Sequence, residues 1–308
     1  MRKRDKNSFE AIYKKLDTET HNGNLPGLEQ AGAIESIALQ IIESQRRIDF
    51  VKTAAMRPLS PERANPNSTI FDPIRAAIIN RRQGDIDEAS WLVFLSTHFG
   101  HNLRTKWRLT RDVYGALGKK KWTWARVSHD PHHFRKWLDE NQATLRGGDG
   151  VKRSFGNHRK YTSLDAWKQN ATGHAVTTYV DWIQANGGHE LLFEKTLANS
   201  LGDGGGAFDE LYRSMHVVAS FGRIGRFDYL TMIGKTGISP ITPPSPYLNG
   251  ATGPLLGARL LFGANGNVAE YERKMINLGK ILGFNMQVME DSICNWQKSP
   301  IKFKPFRG

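Results

Sequence analysis

A single cysteine, Cys294, stands in a chain of 308 residues. It excludes an intrachain disulfide, a cysteine-rich zinc site and a four-cysteine iron-sulfur cluster. Long apolar runs are missing too. None approaches the roughly 20 residues that span a bilayer, and the opening M-R-K-R-D-K lacks the apolar stretch of a signal peptide. The chain is therefore expected to be cytoplasmic, with no membrane partner. Period-2 alternation of apolar and polar residues is almost absent, which excludes a sheet as the organising layer and makes the expected fold class all-α. Acids are in short supply: 30 Asp and Glu face 43 Lys and Arg, for a formal net charge of +13. That balance speaks to partners rather than to fold, and the natural partner of such a surface is a polyanion.

What is present reads as a globular helical protein, with 39% hydrophobic and 24% charged residues. Ile34, Ile37, Ala38, Ile41 and Ile42 recur at helical spacing and predict an amphipathic helix over about 28–56, stopped by Pro58. Asp72 and Asp130, each followed by proline, have the N-cap and first-turn arrangement of a helix start. Asp87 is expected to cap a helix closed by Gly100. Further helices are expected at 106–117, 131–143, 174–186, 188–198, 206–219, 226–234, 252–262 and 267–298, the last broken near Gly283. Gly147 to Gly150 is the expected seam between a helical domain over 1–150 and a second over 151–308. Gly202 to Gly206 reads as a flexible loop. Neither glycine run has the G-K-[ST] that would make it a phosphate loop.

The stretch from Ser214 to Gly237, S-M-H-V-V-A-S-F-G-R-I-G-R-F-D-Y-L-T-M-I-G-K-T-G, is a glycine-broken apolar turn between two helical patterns. A helix N-terminus carries unpaired N-H donors and partial positive charge, and glycine removes the Cβ that blocks close approach. Gly222 and Gly225, with Arg223 and Arg226, thus read either as a helix-hairpin-helix that grips a DNA phosphate or as an ordinary packing corner. Basic residues also cluster in the first fifteen positions, over 104–126 with Lys119, Lys120 and Lys121, over 152–160, and in the tail from Lys298. Trp107, Tyr114, Trp122 and Trp124 interleave one cluster, Phe155 and Tyr161 another. They are stacking platforms for nucleic acid or buried aromatics behind a solvated face.

Five ordered blocks, W-L-V-F-L-S-T-H-F-G (91–100), F-G-N-H-R-K-Y-T-S-L (155–164), F-G-R-I-G-R-F-D-Y-L (221–230), Y-L-N-G-A-T-G-P-L-L-G-A-R-L-L-F-G (247–263) and E-D-S-I-C-N-W-Q-K-S-P (290–300), resemble the alpha-glutamyl/putrescinyl thymine pyrophosphorylase family, clade 3. That family is related to helix-hairpin-helix DNA glycosylases. The resemblance implies two packed helical subdomains with a cleft between them, and double-stranded DNA carrying modified bases as the partner. It also implies one of two chemistries. One is a monofunctional glycosylase that excises a modified pyrimidine from phage-type DNA, an antiphage defence. The other is a transferase that attaches an amino acid or polyamine to a pyrophosphorylated hydroxymethyl pyrimidine. No cofactor and no obligate protein partner is implied.

The family's turn and the helix after it map onto this chain with departures. Ser220 stands at the first glycine of the G-h-G turn when Gly222 is the second, and the lysine position of bifunctional enzymes is Ile224. Thr252 is the expected cap of the downstream helix, yet no aspartate occurs between Tyr229 and Met289. The polar group that assists water is therefore sought in Asp228, Asp291 or Asn249. Their alternative roles are an ion pair of Asp228 with Arg226 or Arg223, a helix-surface acid for Asp291 and a turn residue for Asn249. Asn157, His158, Arg159, Lys160 and Tyr161 offer an amide, an imidazole, two cations and a ring, for base recognition or for nonspecific backbone contact. For His129, Asp130, His132 and His133 the simpler reading is a helix start at Asp130-Pro131, which separates His129 from the two later histidines, so no metal is expected.

Overall fold

The computed structural model describes residues 3–159 and 161–306. Among them fourteen α-helices form and no strand; an antiparallel bridge joins Asn102 and Lys106. In chain order the helices are α1 (Lys3–His21), α2 (Ala33–Met56), α3 (Pro73–Arg82), α4 (Ile86–Phe99), α5 (Arg108–Tyr114), α6 (Trp124–His129), α7 (Pro131–Glu140), α8 (Thr172–Ala185), α9 (His189–Asn199), α10 (Gly204–Ser214), α11 (Arg223–Thr236), α12 (Gly253–Phe262), α13 (Val268–Leu282) and α14 (Met286–Trp296).

The boundaries follow local chemistry. Asp72 accepts from the amides of Ile74 and Arg75 to start α3, and Asp130 accepts from His133 to start α7, each with proline in the first turn. Gly283, left-handed at φ 82°, separates α13 from α14 as the pattern required. Three expectations change. The cap of α4 is Asp85, which accepts from Glu88, so Asp87 is free of that duty. The run at Gly202 to Gly206 is not a loose loop: Asp203 accepts from Gly205 and Gly206 and opens α10 there. A Cβ on Gly204 would lie 2.3 Å from the Pro240 carbonyl oxygen, so this glycine serves close packing. Helices α1 and α6 were not foreseen, because the charged face of one and the brevity of the other hide their periodicity.

The chain forms two compact units, one of Met1–Val51 with Thr242–Arg307 and one of Lys52–Ile241. This differs from a division at 150. In the first unit Ile37 and Ile41 of α2 share one core with Leu261 of α12, Met275 of α13 and Ile293 and Trp296 of α14, so the two ends of the chain bury each other's apolar faces. In the second unit α4 is buried on every side, with Trp91, Leu92, Val93, Phe94, Leu95 and Phe99 at 0% exposure. The Gly147 to Gly150 stretch lies inside this unit. Arg153 fastens it there, pairing with Asp149 and Asp112 and donating to the Thr144 carbonyl.

Candidate functional site

Helices α10 and α11 are joined by a 3-10 turn, Met215–Val217, and a tight hairpin that ends at Gly222, the N-cap of α11. Ser220 takes the left-handed conformation, φ 64°. A glycine would adopt this backbone at no steric cost, whereas a serine is strained by it. The strain is offset locally: the Ser220 hydroxyl donates to the Asn170 carbonyl, and the Ala219 amide donates to Thr178 Oγ1 at 2.9 Å, pinning the hairpin to the N-terminal half of α8. Gly222 is exposed, and among the described residues no side chain caps α11 and a Cβ added at Gly222 would meet nothing within 4 Å. The end of α11 is thus approachable by a ligand that uses its partial positive charge.

The other three hairpin candidates divide by role. Gly225 is buried beneath Phe221, and a Cβ there would sit 3.2 Å from the Phe221 ring, so packing rather than phosphate approach requires this glycine. Arg226 donates to the Tyr212 carbonyl at 3.0 Å and lies 4.3 Å over the Tyr212 ring, tying α11 to α10. Arg223 lies 4.9 Å over the Phe227 ring in the first turn of α11, closer to Gly222.

The 155–164 block docks onto the same region. Gly156 donates to the Phe99 carbonyl at 2.8 Å, and a Cβ on it would lie 2.9 Å from backbone atoms of Gly100 and His101, so only glycine fits. Arg159 then reaches across, donating through Nε to the Thr97 carbonyl at 2.7 Å and through Nη2 to Asp228 Oδ2 at 2.9 Å. Asp228 is therefore paired with Arg159, not with Arg223 or Arg226. Asn157 and His158 lie exposed on the 3-10 turn Asn157–Arg159, and Tyr161 is 91% exposed. Lys160 lies outside the described residues.

Beneath this surface His98 is buried, its ring parallel to Phe94 and Phe221 within 10°. Thr172 Oγ1 donates to the Ser163 carbonyl and so accepts from His98 Nε2, which fixes that nitrogen as the protonated one. Burial, aided by the Arg159 charge, pushes the imidazole down to about 3 and keeps it neutral. The blocks 91–100, 155–164 and 221–230, scattered in sequence, thus converge on one patch of the second unit.

Residues 32–308 match the family described as alpha-glutamyl/putrescinyl thymine pyrophosphorylase clade 3. The chain belongs to that family. Comparison with curated proteins and with solved structures gives no match. Membership in clade 3 places the chain among enzymes of thymine modification, in the context of phage-DNA base modification.

The remaining candidates of this clade 3 chain lie in the first unit. Asn249 and Thr252 are exposed in the turn ahead of α12, and Thr252 has helical backbone angles without a side-chain capping bond. Asp291 is held on three sides, by Ser44, Arg47 and Asn295. It fastens α14 to α2. The interleaved aromatics also resolve. Tyr114, Trp122 and Trp124 are buried and support the core, while Tyr161 is the one whose ring stands well clear of it.

Sequence reasoning missed a polar chain that runs from the half-exposed Asp87 into the core. Asp87, released from capping, accepts from His189 Nδ1 at 2.5 Å; His189 Nε2 meets Tyr179 Oη at 2.6 Å, and Tyr179 Oη meets Tyr229 Oη at 2.9 Å. The hydrogen bond to His189 holds the Asp87 carboxyl below its ordinary range, and burial depresses the His189 imidazole and raises both phenols. Neutral His189 with a proton on Nδ1 orders every donor: Tyr229 to Tyr179, Tyr179 to Nε2, Nδ1 to Asp87. The chain ties α4, α8 and α9 to α11 one residue beyond Asp228. The cue in the sequence was a pair of acids, Asp85 and Asp87, at a helix start that needs one cap.

Proposed function

We propose that this chain is a monofunctional DNA glycosylase that flips a modified pyrimidine out of duplex DNA and hydrolyses its N-glycosidic bond. The observation that supports this most is the coupling of two features on one helix. The end of α11 is open at Gly222, suited to a backbone phosphate. Six residues on, about 9 Å along the axis, Asp228 is held in place by Arg159. Flipping is required because stacking hides the anomeric carbon in a duplex. In the proposed step Asp228 orients a water and takes its proton as the oxygen bonds to C1′ of the sugar. The C1′ to N1 bond breaks with its electron pair leaving on the base, which is then protonated. The Asp228 charge also stabilises the oxocarbenium character that develops on the sugar. Asn157, His158 and Tyr161 on the adjoining turn supply polar and stacking contacts for the extruded base.

Ile224 occupies the position where a bifunctional enzyme carries its amine, so no Schiff base forms with the sugar. A second reading is favoured by the family's description as a pyrophosphorylase: a transferase that joins an amino acid or polyamine to an activated hydroxymethyl pyrimidine with loss of pyrophosphate. Incubation with phage DNA carrying modified thymine, followed by mass analysis, tests the two. The glycosylase releases a free base, leaves alkali-labile sites and forms no borohydride-trapped complex with DNA. Bases that gain mass with no abasic site would establish the transferase, and unchanged DNA retained on the protein would leave a binding module.

A further inference from the structure

The second unit carries a basic groove that the proposed chemistry does not use. It has a volume of about 570 Å³ and is lined by Lys120, Lys121, Thr123, Ala125, Arg126 and His129. Among the described residues none of its lining side chains is acidic. Its central cation is rigid: Arg126 lies 3.7 Å over the buried Trp122 ring and donates to the Lys120 carbonyl at 2.7 Å. A guanidinium already held by its own backbone and a tryptophan face loses little freedom when it binds. Lys120, Lys121 and His129 stand exposed around it. The acid next in sequence, Asp130, is used at the start of α7.

The placement of the groove gives it a partner. Gln184, near the C-terminal end of α8, donates to the Ser128 carbonyl beside the groove, while the hairpin is fastened by Asn170 just ahead of the other end of α8. Helix α4 repeats the relation, since its first turn receives the Trp124 amide through Glu88 and its last turn receives Arg159 at Thr97. The groove anchor at Gln184 and the hairpin anchors at Thr178 and Asn170 are thus six and fourteen residues apart along α8, about 9 Å and about 21 Å at 1.5 Å per residue. A duplex supplies phosphates over that whole range, because it carries one charge per roughly 1.7 Å of axis.

We infer that the groove lined by Lys120, Lys121, Arg126 and His129 is a second contact for the phosphate backbone of the same duplex that the Gly222 hairpin engages. The inference rests on the DNA reading above. Its test is duplex binding by the full chain, followed by fluorescence anisotropy over a range of salt, for the wild type, for Lys120→Ala with Lys121→Ala, and for Gly222→Asp. Both lysines are exposed, so helicity by circular dichroism is expected to be unchanged in the double variant. Two lost phosphate contacts make the slope of log affinity against log salt shallower by about 1.8. An unchanged slope, with Gly222→Asp still weakening binding, would overturn the groove and leave the hairpin standing. Absence of salt-dependent binding by the wild type would overturn both. If inorganic diphosphate binds the wild type but not the double variant while the DNA slope stays the same, the groove belongs to a small phosphate ligand and the backbone assignment is wrong.

Discussion

Glycines in this chain do opposite things that sequence alone cannot separate. Gly222 and Gly225 both sit in G-R-I-G-R, yet one faces open space and the other fits beneath Phe221. The difference lies in which way each Cα points, and that is set by packing rather than by neighbours in sequence. Gly222→Ala is expected to cost at most about 1 kcal/mol, the scale of exchanging one N-cap for a poorer one, while lowering duplex affinity several-fold. Gly204→Ala should cost more, about 1–3 kcal/mol, because its Cβ would meet a fixed carbonyl. Equal losses in denaturant unfolding would contradict this assignment. The aspartates were legible to different degrees for a similar reason. Asp72 and Asp130 cap helices through bonds three residues long or less, which a local pattern reveals. Asp228 meets Arg159 across 69 positions, which no local pattern reveals.

Among the elements, helices with a continuous apolar face were readable, and so were the breaks at Gly100 and Gly283. What joins the helices was not. The four that frame the patch are bound by buried polar groups, including two neutral imidazoles, His98 and His189. Both are held below the ordinary histidine range by burial. An unfolded chain takes up those protons near pH 6.5, whereas the folded one refuses them, His98 down to about 3. Their contribution to stability is therefore complete above pH 6.5 and is lost as the pH falls below it, by about 1.4 kcal/mol per pH unit for each proton. Asp87, also depressed, adds to the loss at still lower pH; Glu88, raised by burial, works the other way. His98→Gln keeps a donor toward Thr172 and removes one titrating group. Between pH 6 and 4.5 its stability curve should be shallower than the wild type's by about one proton. Parallel curves would show that His98 is not buried neutral.

At the scale of the whole molecule, composition pointed to helices and to a polyanionic partner, and five ordered blocks pointed to the family. The division into units stayed hidden because the first and last helices share a core, an arrangement without a signature in any window of sequence. That division also sorts the candidates: Asp228 belongs to the patch around the hairpin, while Asp291, in the other unit, is engaged by Arg47, Ser44 and Asn295. The central claim is that Asp228, held by Arg159 on the hairpin helix, performs the chemistry after DNA is bound. The most direct measurement is single-turnover base release from modified phage DNA by Asp228→Asn, read beside duplex affinity and thermal unfolding of the same variant. The account predicts that release falls by two or more orders of magnitude, as for other groups that stabilise developing charge, while affinity and unfolding stay close to the wild type. Full release by Asp228→Asn, with release abolished instead by Asp291→Asn or Asn249→Ala, would contradict it.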